Sequence, residues 1–355
     1  MAKPVSEAYP KISTRILIYF LVTVFSHFIN YNISLCLTMN KSLVPEYSLV
    51  EESFYFQGII ILSGNIFSLI PNIYFLIRTF TYEPFQKRVL FKYMTMIMSF
   101  EYSFGNCMHI LFCIYYFYHL NTHTMIHVNT CSKFQILDTD WNQIVIMTPI
   151  FFNIIRFYNV ILQKSTNIFA ILITLLVAFG GLCYLTVPQL LEIDIYYIPK
   201  TGCPYEIYSS VPYFILVQYF NMFLLILIPV LAFLINYIIY KLVIRKKRSV
   251  YKRDTVLENR NLFKSIAIQS FYPFGCQLPG VLLVLYTILF QQTDNLFNHI
   301  IVFIYHFGQA FCIFFSLIVI KEFKNMILND FGIPTSIGVS KVSTLKTVTL
   351  VRTKR

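Results

Sequence analysis

The chain has 355 residues, of which 57% are hydrophobic, 18% aromatic and only 12% charged, with a formal net charge of +12. About a quarter of a soluble globular protein is charged, so this chain has too little polar surface to cover a water-soluble globule, and it is too apolar to be disordered. A basic excess on that background points to the cytoplasmic loops of a polytopic membrane protein rather than to nucleic acid.

A membrane helix needs about 20 mostly apolar residues. The first candidate, Thr14–Leu37, differs from the rest. Lys3, Lys11 and Arg15 precede a short apolar run, Ile16–Phe25, and polar residues follow at once. This is the pattern of a signal peptide or, uncleaved, a signal anchor. Asn32-Ile33-Ser34 and Asn40-Lys41-Ser42 then offer Asn32 and Asn40 as glycosylation acceptors on an external segment. Seven further stretches are predicted as helices: Phe54–Leu76, Tyr93–Tyr118, Trp141–Leu162, Ile168–Val187, Pro212–Ile244, Phe263–Phe290 and His299–Ile320. An open sheet could not satisfy its backbone in lipid, and no stretch alternates as a barrel strand does. The predicted fold is therefore an all-α membrane protein with a seven-helix body. Residues 1–53 form a targeting segment and short external region, 54–322 the body, and 323–355 a tail.

Orientation follows from charge. With the segment before Phe54 outside, the cytoplasmic side receives 22 Lys and Arg and the outside only Lys41, Lys133 and Lys200. Without the tail the ratio is still 15 to 3. Basic residues concentrate on cytoplasmic loops, so the inverted orientation is strongly disfavoured.

Of the eight Cys, Cys131 and Cys203 fall clearly on the external side of the body. The outside is oxidising, so a disulfide between them is allowed and would pin the Gln189–Val211 loop over the bundle. Two free or separately buried thiols are the alternative. Most other cysteines lie inside spans, where a small apolar role suffices.

Three features converge: Cys131 at the third span, Arg156 at its cytoplasmic end, and Cys203 in the loop between spans four and five. This arrangement resembles a rhodopsin-type G-protein-coupled receptor, although the usual acidic residue before the Arg is missing from Phe152-Asn153-Ile154-Ile155-Arg156-Phe157. A closer resemblance is to nematode serpentine chemoreceptors of the Str superfamily, of the Srh and Sri groups. It rests on Lys92-Tyr93-Met94 leading to Phe100-Glu101, and on Val187-Pro188-Gln189 with Gly202-Cys203-Pro204. It rests also on Leu262-Phe263-Lys264 through Gln269 followed by Pro273 and Pro279, and on His306-Phe307-Gly308. Lys321-Glu322-Phe323 departs from the usual PYR, as does the long N-terminal stretch. The resemblance covers roughly Phe54 to Leu328. It implies a plasma-membrane chemosensory receptor, for example in a sensory-neuron cilium, that takes a small external ligand and activates a heterotrimeric G protein.

The residues suggest where those roles would lie. Outer halves of the spans supply Gln135, Asp138, Asp140, Trp141, Gln218, Tyr286 and His299 as pocket candidates, among apolar walls. Each of them could equally be a core or rim residue. Glu101 is the one carboxylate well inside a span, which is costly and so a functional hypothesis. It is expected to face a polar cavity near Asn106 and His109, or else to make a helix-packing hydrogen bond. Pro273, Pro279 and His306 join Glu101 as candidates for a two-state element. Arg156 and the run Arg245-Lys246-Lys247-Arg248 are the G-protein-coupling candidates, although a lipid-headgroup cluster alone explains the run. His119, His123 and His127 could share a helical face only if span two continued outward, or bind a metal as a loop cluster; an exposed polar loop is the simpler reading. No catalytic constellation, phosphate-cradling motif or cofactor signature is found, so an enzyme is not expected. A seven-helix ligand-gated channel of insect chemoreceptor type is the alternative, opposed by the charge ratio. A transporter suffers from the lack of internal repeats.

Overall fold

The computed structural model describes residues 44–164, 166–199, 202–247, 253–290 and 295–333. The stretch Thr14–Leu37, the acceptors Asn32 and Asn40, Arg248 and the tail beyond residue 333 lie outside the described residues. Helices form the body. In chain order they are α1 Tyr55–Thr81, the short α2 Glu83–Lys87, α3 Val89–Thr122, α4 Val128–Met147, α5 Pro149–Phe157, α6 Ile168–Leu190, α7 Phe214–Lys247, α8 Arg253–Phe290, α9 Asn295–Ile318 and α10 Lys321–Asp330. Four helical segments are long and apolar enough to cross a membrane: Glu52–Thr81, Ile168–Leu190, Phe214–Leu242 and Leu296–Ile318. An all-α membrane protein is the class consistent with them. Outward-facing side chains such as Ile70, Phe169, Ile173 and Leu176 are exposed, as lipid-facing positions are.

The other long helices are more polar for a visible reason. On α3, Thr95, Ser99, Asn106 and His109 are buried, so their polarity is turned inward. On α4, Ser132 and Asp138 are buried likewise. A polar interior lowers a helix's mean hydropathy without exposing anything to lipid.

The predicted third helix starts too late. The structure begins it at Val128 and not at Trp141; Ser132 and Asp138 of the polar run between them are buried, beside the apolar Val128, Cys131 and Ile136. It is also interrupted: Pro149 lacks an N–H, α5 follows, and a π-helical turn, Tyr158–Leu162, closes the segment. The expectation of helices alone needs a second correction. β1 Tyr47–Ser48 pairs antiparallel with β2 Ile126–His127, and β3 Ile195–Pro199 pairs antiparallel with β4 Tyr205–Ser209. The apolar and aromatic residues of the second hairpin pack on the start of α4, where Val128, Ile136, Ile195, Tyr197 and Ile207 make one cluster.

Close helix contacts depend on two glycines. A Cβ on Gly64 of α1 would stand 2.8 Å from the Cβ of His306 on α9. One on Gly308 of α9 would stand 2.7 Å from Cys276 Sγ on α8. At one end of the bundle, α10 docks through Phe323, which is fully buried with its ring centroid 4.3 Å from Phe85 and 5.3 Å from Phe91. Asp330 then pairs with Arg78, and Tyr74 donates to the same carboxylate at 2.5 Å. Arg88 pairs with Glu322 at 3.1 Å.

Candidate ligand cavity

At the opposite end of the bundle α3, α4, α6, α7, α8 and α9 enclose a cavity of about 490 Å³. That is within the roughly 300–1,000 Å³ of small-molecule sites. Its apolar wall includes Leu185, Phe214, Leu225, Leu283 and Ile301. β4 adds Glu206 and Tyr208. The hairpin is fastened beside the cavity by the Cys131–Cys203 disulfide, whose Cα atoms lie 5.7 Å apart. Gly202, at φ +95°, supplies the left-handed turn just before Cys203. Ser132 Oγ donates to the carbonyl of Tyr205, and Gln189 Nε2 to that of Ile207 at 2.7 Å.

A buried polar chain forms part of the cavity wall. His109 Nδ1 is 2.6 Å from Asp138 Oδ2. Asn142 Nδ2 donates to the Asp138 carbonyl at 3.1 Å, and also lies 3.1 Å from His109 Nε2. The rings of His109 and His306 meet edge to face at 4.7 Å, and Asn65 Nδ2 lies 3.0 Å from His306 Nδ1. Asp140 accepts from Thr186 Oγ1 at 2.5 Å and from Gln143 Nε2 at 3.4 Å. Tyr208 donates its phenol to Glu206 Oε2 at 3.0 Å. Burial, reinforced by the Glu206 carboxylate, holds that phenol well above its ordinary pKa, so it stays a donor.

The pocket candidates divide. Asp138, Asp140 and Gln218 line the cavity. Trp141 does not: its indole donates to the Glu101 carbonyl at 2.8 Å and its ring packs on Phe104. Gln135 lies one helical turn before Thr139, whose hydroxyl it accepts on its carbonyl, and is not part of the wall. His299 packs edge to face on Phe56, away from the cavity. Tyr286 lies on α8. Asn142, Asn221, Gln277 and Glu206 were not singled out from the sequence. Their signal is polarity within apolar helices or, for Glu206, alternation in a strand.

Glu101 does not face Asn106 and His109. Its Oε1 accepts from Thr148 Oγ1 at 2.7 Å, across to the break between α4 and α5. Asn106 instead donates to Ser68 Oγ at 3.1 Å. The three loop histidines do not share a face: α3 stops at Thr122, and His123 is left-handed at φ 50°. His119 and His127 lie against Thr124 and Thr130, and among the described residues no group of three possible metal ligands occurs.

Arg156 is buried rather than presented on a surface. Its guanidinium donates to Asn236 Oδ1 on α7, and Asn236 Nδ2 donates to the Phe263 carbonyl of α8 at 3.3 Å. One turn earlier, Asn153 Nδ2 donates to Ser270 Oγ at 3.0 Å. A cluster of polar contacts thus ties α5, α7 and α8 together. Arg156 is thirteen residues beyond Gln143 of the cavity wall, or about 20 Å of helix at ~1.5 Å per residue. Arg245, Lys246 and Lys247 end α7, and Pro273 and Pro279 lie within α8. In comparison with known proteins, no family model and no curated protein matches the chain.

Proposed function

We propose that the chain is a seven-helix chemosensory receptor that holds a small external ligand in the cavity and activates a heterotrimeric G protein at the opposite end of the bundle. The carrying observation is the pairing of a ligand-sized, mainly apolar cavity with a few placed polar groups at one end with buried inter-helix ties at the other. In this reading the spans are α1, α3, the α4–α5 pair, α6, α7, α8 and α9. The segment before Phe54 is external and the tail internal, which the 15-to-3 loop asymmetry supports. The nematode serpentine chemoreceptor resemblance supplies the ligand type, the G-protein partner and the plasma-membrane location. Proline-containing α8, joined to α5 and α7 by Asn153 and Arg156, is the element that a ligand would bias. The reading has no catalytic step and no resident cofactor.

The test has two parts. Accessibility tags before Phe54 and after Arg355 should label on intact cells only at the front. The purified receptor should then accelerate nucleotide exchange on a G protein when ligand is added. A tail tag labelled without permeabilisation would sink the receptor reading. A ligand-evoked current in bilayers free of G protein would favour the channel instead.

A further inference from the structure

We infer that a sterol binds on the lipid-facing seam between α1 and α9, its ring system on a run of phenylalanines and its hydroxyl on His299. The inference needs only that these two helices cross a membrane, as their length and apolarity allow. It stands apart from the cavity and from the receptor reading.

The seam is continuous. At one end Phe56 of α1 meets the His299 ring of α9 edge to face at 4.9 Å. Phe67 lies about three turns further along α1, so it shares the face of Phe56. It meets Phe307 at 5.6 Å and Phe311 at 5.9 Å. The two helices therefore run parallel in one register from the first contact to the last. Between these contacts Phe303 stacks on Phe307 at 4.3 Å. Gly64 has no side chain to fill the seam, and the ring of Phe307 lies over it, 3.0 Å from where a Cβ would stand. What faces the lipid is a shallow aromatic strip, with Phe303 48% and Phe67 45% exposed.

The length of the strip and its polar end select the occupant. From Phe56 to Phe67 the helix rises about 17 Å at ~1.5 Å per residue, and one leaflet is half of a hydrocarbon core of ~30 Å. The strip thus covers one leaflet. His299 stands one turn inside the end of α9, and its ring nitrogens make no hydrogen bond among the described residues. At the same level Asn298 Nδ2 lies 3.5 Å from Gln57 Oε1, and Tyr55 is exposed. Tyrosine and polar side chains mark the membrane–water interface. The complementary molecule has one small polar group at the interface and a leaflet-long apolar body. A phospholipid acyl chain would give up its conformational freedom to follow a fixed strip, and it carries no hydroxyl at that depth. A fused-ring sterol is rigid beforehand, so it loses little on binding. Its flat body gains dispersion contact with each ring, and its single hydroxyl meets the imidazole.

The test uses the full chain in phosphatidylcholine nanodiscs and a cholesterol analogue carrying a photoactivatable diazirine on its ring system. Mass mapping should place the adducts within residues 56–67 and 299–311, and not on α6, the least buried of the four apolar spans. Unlabelled cholesterol should compete about fivefold better than epicholesterol, its hydroxyl epimer, which is the worth of one ordinary hydrogen bond. His299→Ala should erase that difference. Phe303→Ala and Phe67→Ala, at positions exposed enough to leave the thermal transition in place, should each lower the adduct yield about threefold. Adducts that are absent, or spread over α6 and the seam alike, would overturn the site. A diazirine phospholipid that labels the seam as strongly would make it an acyl-chain site, and cross-links joining two copies through it would make it a dimer interface. Either result overturns the sterol proposal. Equal competition by the two epimers would overturn the role of His299. The assay reads neither the cavity nor G-protein coupling, so failure of the receptor reading would be a separate result.

Discussion

Removing the Asn236 side chain should destabilise the bundle more than removing Arg156 along with it. Arg156 is 5% exposed, and Asn236 Oδ1 accepts from its guanidinium. A hydrogen bond to a charged group is worth about 1.5–3 kcal/mol, and stranding a buried donor forfeits its desolvation as well. Asn236→Leu also gives up the 3.3 Å contact to the Phe263 carbonyl, a weaker loss because that carbonyl lies inside a helix and keeps its helical partner. The added apolar area of Leu offsets about 1 kcal/mol. A net cost near 2 kcal/mol results for Asn236→Leu, with about 1–2 kcal/mol for Arg156→Leu, which orphans only a neutral amide. In the double variant neither polar group is left stranded, so it should lie within about 1 kcal/mol of wild type. The coupling is then about 2–3 kcal/mol, or roughly 30–160-fold in the unfolding constant. Titration with SDS from mixed micelles measures all four corners of the cycle. Interhelical contacts in lipid average only about 0.6 kcal/mol. A coupling at or below that value would refute the claim that Arg156 is an energetically committed tie. The functional counterpart is Arg156→Lys, which keeps the charge and loses the planar fork. It should reach the surface normally yet weaken ligand-evoked nucleotide exchange. Equal signalling at matched surface levels would reduce Arg156 to a topological anchor.

Glu101 offers a separation of stability from function. Its Oε2 has no partner, and Thr148 keeps the Ile144 carbonyl at 3.0 Å as an alternative acceptor. Glu101→Leu should therefore be neutral or stabilising by about 1 kcal/mol in a thermal assay; a large loss would show that the carboxyl is structural. Gly64→Ala should cost about 1–3 kcal/mol by overpacking α1 on α9. Gly275→Ala, with nothing within 4 Å of its Cβ, should be harmless or gain about 1 kcal/mol of helix propensity, so similar melting shifts would contradict the contact geometry. Cys203→Ser should lower surface delivery, measured by labelling intact cells. Phe323→Ala should cost about 3–5 kcal/mol of α10 docking. That loss should appear as faster hydrogen exchange over residues 321–330, and unchanged protection there would disprove the aromatic anchor.

Much of the helical layout is legible because apolar runs of about 20 residues admit few other structures. The structure's α1, α6 and α7 coincide with the runs Phe54–Leu76, Ile168–Val187 and Pro212–Ile244 to within a few residues. Reading by hydropathy failed where polar residues face inward. The run from Asn129 to Asn142 looks like a loop, yet it is helical, with Ser132 and Asp138 buried. The hairpin was legible in principle, since Tyr205-Glu206-Ile207-Tyr208-Ser209 buries its odd-numbered face at Ile207 and Ser209. Pairing of Cys131 with Cys203 was accessible from topology and redox setting alone, and the structure joins them. Partner choice among buried polar groups was not. Nothing in the order of residues says that Arg156 meets Asn236, or that Glu101 meets Thr148 rather than His109, because those pairings depend on helix rotation and crossing.

The Ile195–Ser209 hairpin has a consequence for time as well as for strength. It stands beside the cavity, tied to α4 by a covalent bond and by Ser132, and to α6 by Gln189. Equilibrium occupancy is set by what a ligand touches once it is inside. A tethered wall beside the cavity acts also on the barrier, which is crossed in both directions, so it slows arrival as well as departure. Because Glu206 and Tyr208 of the hairpin also line the cavity, cleaving the Cys131–Cys203 bond with a mild reductant should speed loading and, more strongly, release in stopped-flow traces. Lifetime of the occupied state, and with it how closely a response can follow a fluctuating stimulus, would then be set by one cystine outside the ligand's contacts.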